Sequence, residues 1–110
     1  MTVYFKCKRD HLRKILNQLR GSVSHSRTKG MTLPLTIEFA PKSMTLISLQ
    51  QSDTIEAICD KEAKVELPFR IMWKALADHS SENFTGLIKE GKIKIGTYEA
   101  NDEQIHFIKG

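Results

Sequence analysis

Two short stretches of this sequence carry apolar residues at helical spacing, and each stands directly behind an alternating, strand-like pattern. In the first, Leu12, Ile15, Leu16 and Leu19 fall within an arc of about 100° on a helix. In the second, Phe69, Met72, Trp73 and Leu76 form a comparable stripe, with Arg70, Lys74 and Asp78 turned away from it. Ahead of them, Val3, Phe5 and Cys7 alternate with Tyr4, Lys6 and Lys8, and Ala63 to Leu67 alternates likewise, each reading as a half-buried strand. Asp10 is a plausible N-cap, Gly21 a plausible end for the first helix, and Pro68 suits the first turn of the second.

Behind each stripe come short strands separated by turns. After the first they are Leu33–Phe39, Met44–Leu49 and Thr54–Cys59, divided by Ala40-Pro41-Lys42-Ser43 and by Gln50–Asp53. After the second they are Phe84–Ile88, Lys92–Ile95 and Gln104–Ile108, with turns at Glu90-Gly91 and Ala100-Asn101-Asp102. The order strand, helix, three strands is therefore written twice, although residue identities hardly repeat. Two helices and eight strands predict an α+β fold with the helices on one face of antiparallel sheet. At 110 residues, positions 1–110 fit a single domain. The predicted core holds Leu12, Ile15, Leu16, Leu19, Phe69, Met72, Trp73 and Leu76. The Met/Trp stripe is core rather than a cofactor box.

Charge is distributed unevenly. Through Gly30 there are eight bases and one acid, a net +7, whereas the rest of the chain nets −3. That split suits a surface facing a polyanion on an otherwise mildly acidic chain, and it equally describes a solvated face with no ligand. The segment from Ser22 to Thr32 is polar, basic and loop-like. No apolar run approaches the roughly 20 residues of a membrane span, and the charged start lacks a signal-peptide core, so a cytoplasmic protein without membrane contact is expected. Cys7 and Cys59 are too few for a disulfide framework and read as small core residues.

Catalytic patterns are missing. The six glycines are scattered, with no phosphate-binding loop. His11, His25, His79 and His106 lie far apart without metal-ligand spacing, and nothing in the spacing supports a nucleophilic triad on Cys59. Asp53, Glu56, Asp60 and Glu62 read as the wet side of a strand rather than a cation site. The expectation is a protein that is not an enzyme and carries no metal or cofactor.

The doubled unit resembles one domain of the DNA sliding clamps, the family of the bacterial polymerase III beta subunit and of proliferating cell nuclear antigen. The details are most similar to the first domain of the bacterial type. Phe5-Lys6-Cys7-Lys8-Arg9-Asp10-His11-Leu12 resembles its opening strand and first helix. Thr32-Leu33-Pro34, Leu46-Ile47-Ser48-Leu49 and Leu67-Pro68-Phe69-Arg70-Ile71-Met72 resemble later landmarks in the same order. Longer clamps have two or three such domains, whereas this sequence shows one and no interdomain connector after it. The resemblance therefore implies two open strand edges and a ring built only from separate copies. The partner-peptide pockets of longer clamps do not carry over.

Two functions follow as expectations. By the resemblance, Arg9, Arg13, Lys14 and Arg20 of the first helix, Arg27 and Lys29 of the loop, and Arg70 and Lys74 of the second helix would meet duplex DNA phosphates without reading bases. The alternative is a stand-alone protein-binding module, such as an immunity protein neutralising a bacterial toxin. Open strand edges and the acids Asp53, Glu56, Asp60, Glu99, Asp102 and Glu103 would then face a basic nuclease.

Overall fold

A computed structural model describes residues 1–23, 34–48, 51–78 and 81–108, with the side chains of 20–23 outside the description. β1 (Thr2–Lys8) runs straight into α1 (Arg9–Val23) and is followed by β2 (Pro34–Ala40), β3 (Ser43–Ser48) and β4 (Gln51–Cys59). The order then repeats: β5 (Ala63–Pro68) runs straight into α2 (Phe69–Asp78), followed by β6 (Asn83–Lys89), β7 (Lys92–Ile95), β8 (Tyr98–Asn101) and β9 (His106–Phe107). Among the described residues the fold is α+β, two helices on a nine-stranded antiparallel sheet of order β8-β7-β6-β1-β4-β3-β2-β5-β9.

The two halves interlock through their first strands. β1 pairs along its whole length with β6 of the second half, Thr2 opposite Lys89 and Lys8 opposite Asn83. β5 does the same with β2 of the first half, Pro34 opposite Pro68 and Phe39 opposite Ala63. β4 changes partner midway: Gln51–Glu56 pair with β3, and Ala57–Cys59 with β1. In the second half this double duty is split. β8 pairs with β7, the chain bends through residues 102–105, and β9 pairs with β5. The ends of the sheet order are thus adjacent along the chain. The bend is held by Asp102 N–H donating to Gly91 O (3.0 Å) and Gly91 N–H donating to Ile105 O (2.8 Å).

One core fills the space between sheet and helices. Val3, Phe5 and Cys7 point inward from β1, and Leu12, Leu16 and Leu19 of α1 are buried with Phe69, Met72 and Leu76 of α2. Ile15 and Trp73, expected in the core, are only partly buried and pack against its margin. Each fully buried large side chain contributes about 1.5–3 kcal/mol, so the inward set also fixes register, because a one-residue slip would expose all of it.

Local differences from the sequence reading have physical causes. The first helix continues past Gly21 to Val23, since an isolated glycine costs only about 1 kcal/mol in a helix. Pro68 ends β5 rather than starting α2; the rest of its ladder, Leu35–Leu67 and Ile37–Val65, holds it in the sheet. The ninth strand is Tyr98–Asn101, half of which, Ala100-Asn101, the sequence reading gives to a turn, and the last strand is shortened to His106–Phe107.

Candidate functional site

The helices form one layer. Arg9, the first residue of α1, donates from Nη2 to the carbonyl of Leu76 in the last turn of α2 at 3.0 Å. Its charge therefore sits at the negative end of the second helix, where it is favoured by the helix dipole and caps a free carbonyl. Arg9 is half-buried in this role and ties the helices together rather than standing open to solvent.

The remaining cations on the helices divide by environment. Arg13 and Lys14 of α1 and Lys74 of α2 are exposed and, among the described residues, in no salt bridge. Arg70 is exposed but paired with Asp102 at 3.0 Å. Asp10 and Asp78 are the exposed acids on the described helical surface. Arg27 and Lys29 lie outside the described residues, as does the side chain of Arg20. The structure thus brings Arg13, Lys14 and Lys74 to the solvent side of one helix layer. It gives Arg9 and Arg70 partners that sequence spacing could not reveal, since each bond spans more than thirty positions.

The six acids expected on a single docking surface are dispersed. Asp53 shares the inward register of Ile55, Ala57 and Cys59; it is half-buried, and its Oδ2 is buried with no hydrogen-bond partner among the described residues. Glu56 lies on the opposite face of β4 because three positions separate it from Asp53 in a structure of period two. Asp60 accepts the Tyr4 N–H at 2.9 Å, prolonging the β1–β4 pairing. Glu99 is 2.7 Å from Lys92, and the lysine holds its carboxyl below the usual range. Asp102 is taken by Arg70 and by the Gln104 N–H at 2.8 Å. Of the six, only Glu56, in β4, and Glu103, in the bend after β8, are left exposed without such a partner among the described residues. The reason is geometric: alternation and turn capping, not a common partner, dictate where these carboxylates point.

The outward face of β1, β6 and β7 is basic. It presents Lys6, Lys8, Lys89, Lys92 and Lys94 and no acid, so the basic character is not confined to the helices. The largest exposed apolar side chains on this side are Tyr4 (54%) and Ile58 (69%). The signal for Ile58 in the sequence is its even-numbered place beside Glu56 in a strand whose odd-numbered positions turn inward.

Neither cysteine is suited to nucleophilic chemistry. Burial, reinforced by Cys59, pushes the Cys7 thiol up to about 12, and burial also raises Cys59. Among the described residues no group of three or more His, Cys, Asp or Glu could hold a metal ion, and no helix is long and apolar enough to cross a membrane.

No family model matches the sequence, and no curated protein matches it. Solved structures do. The beta sliding clamp of C. crescentus superposes with a TM-score of 0.71 over 97% of this chain and 30% of the clamp, at 11% identity. The beta subunit of DNA polymerase from Streptococcus pyogenes gives 0.67 over 87% of this chain and 28% of that one, at 16% identity. The sliding clamp, DNA polymerase III subunit beta, of Pseudomonas aeruginosa gives 0.67 over 98% and 31%, at 13% identity. The fold is that of a sliding-clamp domain, and the chain spans about three-tenths of the length of the clamps it matches.

Proposed function

We propose that this chain is a non-catalytic clamp-type module that associates with duplex DNA through the solvent side of its two helices. The observation that carries the reading is the placement of Arg13, Lys14 and Lys74, exposed and without salt bridges among the described residues, on the helix layer of a sliding-clamp fold. Lysine and arginine so placed neutralise phosphates and release counterions, which gives binding without base contacts and permits sliding. Arg20, Arg27 and Lys29 extend the same basic segment in the sequence and belong to the proposed surface. Arg9 supports it indirectly, by fixing α1 against α2.

Assembly belongs to the same reading. Among the described residues the strand edges without a neighbour include β8 on the side away from β7, β9 on the side away from β5, and β4 from Gln51 to Glu56 on the side away from β3. Copies, or further domains, joined at such edges would extend the sheet and set the helix layers side by side. No comparable observation favours the toxin-neutralising alternative, whose acidic residues do not share a surface.

Fluorescence anisotropy with two duplexes of unrelated sequence tests the reading. Both should bind alike, and affinity should fall with salt by about 0.9 in the log–log slope for each phosphate contact. The triple variant R13E/K14E/K74E should lose binding while its melting curve moves little. No binding by the wild type at low salt, or equal binding by the triple variant, overturns it.

A further inference from the structure

The duplication leaves two grooves at equivalent places in the two halves. Where β5 runs into α2, a groove of about 350 Å³ lies between Glu66, Pro68 and the segment Glu103–His106, with Pro34 of β2 at its side. Where β1 runs into α1, a groove of about 550 Å³ lies between Lys6, Lys8 and the segment Glu56–Ile58, with Asn83 of β6 at its side. The strands correspond one to one, β1 to β5, β6 to β2, and β4 to the β8–β9 segment, yet the charges are opposite. The first groove carries Glu66 and Glu103 beside His106. The second carries Lys6, Lys8, Lys42 and His11 against a single acid, Glu56.

We propose that the fork between β1 and β4 is a docking groove for an extended acidic segment of a partner protein, anchored by an aliphatic side chain against Ile58. Three features of the fork select this occupant. Ile58, which lines the fork, is 69% exposed, more than any other large hydrophobic residue past Met1 among the described residues. Among the described residues Lys6, Lys8 and Lys42 are in no salt bridge, so the rim offers three ammonium groups without internal partners to carboxylates. The β1–β4 pairing stops at Cys7–Ala57, and among the described residues β4 from Glu56 back to Gln51 has β3 on one side only. A peptide entering the groove can therefore continue along that edge as an added strand, in place of the copy or domain that would otherwise join there, its backbone satisfied by β4 and its side chains alternating between groove and solvent. The groove suits a peptide better than a single-stranded nucleic acid. Among the described residues no arginine lines it, and its one ring is the His11 imidazole, whereas base-stacking grooves rely on both kinds of group.

The test uses the full chain and a fluorescein-labelled octapeptide, Asp-Glu-Leu-Asp-Ile-Glu-Leu-Asp. A control peptide has lysine for every acid, and a third probe is single-stranded oligothymidylate. Ile58→Asp and the pair Lys6→Glu/Lys8→Glu change exposed positions and should leave thermal melts nearly unmoved. Each should weaken binding of the acidic peptide by about tenfold or more. The helix-layer variant R13E/K14E/K74E should bind this peptide like the wild type. Several results would overturn the proposal: no binding of the acidic peptide, equal binding by all variants, or tighter binding of the lysine peptide. So would oligothymidylate binding that I58D abolishes, which would mark a nucleic-acid groove. Self-association lost in I58D without any peptide binding would instead mark an interface between copies.

Discussion

Arg70 and Asp102 form an ion pair between the first turn of α2 and the residue that follows β8, with Nη2 donating to Oδ2 at 3.0 Å. The pair joins one residue expected to meet phosphate with one expected to meet a basic partner, and it leaves neither fully available. Asp102 is the better held of the two. Its side chain is only 20% exposed, and its other oxygen accepts the Gln104 N–H.

Asp102→Asn keeps an oxygen for the Gln104 N–H and removes the charge opposite Arg70. Stability should change by about 1 kcal/mol or less, since exposed pairs contribute little. Duplex binding should tighten, and its log–log salt slope should steepen by up to about 0.9 as the freed guanidinium reaches one more phosphate. An unchanged slope would place Arg70 off the DNA surface.

Leu16 is fully buried, on the stripe that seats α1 against the sheet. Leu16→Ala should cost about 2–5 kcal/mol through lost burial and the cavity left behind. Urea denaturation measures this directly, and a cost near zero in a two-state transition would contradict the packing.

Gly86 occupies a buried place in β6 opposite Phe5. A Cβ there would fall 2.5 Å from Phe5 Cζ and 3.1 Å from Ile95 Cγ1. The Phe5 ring cannot swing freely aside, because it packs against Phe39 with centroids 5.3 Å apart. Gly86→Ala should therefore destabilise by about 1–3 kcal/mol by overpacking, although alanine normally favours a strand over glycine. A stabilised variant would show that the ring has room.

Cys7 supplies an alkaline signature. Its thiol ionises near 9.0 when free and near 12 in the folded chain, because burial disfavours the thiolate. Between those values the folded state holds a proton that the unfolded state has lost. Its stabilising contribution is thus complete below pH 9 and declines as pH rises toward 12, by at most about 1.4 kcal/mol per pH unit. Comparing wild type with Cys7→Ala from pH 8 to 11 isolates this group from the lysines and tyrosines that titrate nearby. The stability difference should shrink above pH 9, and a constant difference would contradict the burial of the thiol.

The order of elements, both helical stripes and the inward residues of β1 and β5 were legible in the sequence because they depend on spacings of two to four residues. Asp53, which the sequence reading sets with Glu56 on the wet side of its strand, instead shares the inward parity of Ile55, Ala57 and Cys59, away from Glu56. Other parts of the candidate site depend on positions far apart in the chain. Arg9 meets Leu76 where the pairing of β1 with β6 brings the start of α1 to the end of α2, and Arg70 meets Asp102 where the chain bends between β8 and β9. The fork beside Ile58 exists because β1 turns into α1 while β4 crosses from one partner strand to another. The sequence by itself determined the doubled architecture, its core stripes and the basic amino-terminal segment, since hydrophobic periodicity and charge are local properties of the chain. Tertiary structure alone decided which cations stand free, which carboxylates are consumed and where a groove opens, since those follow from pairings between positions far apart in the chain.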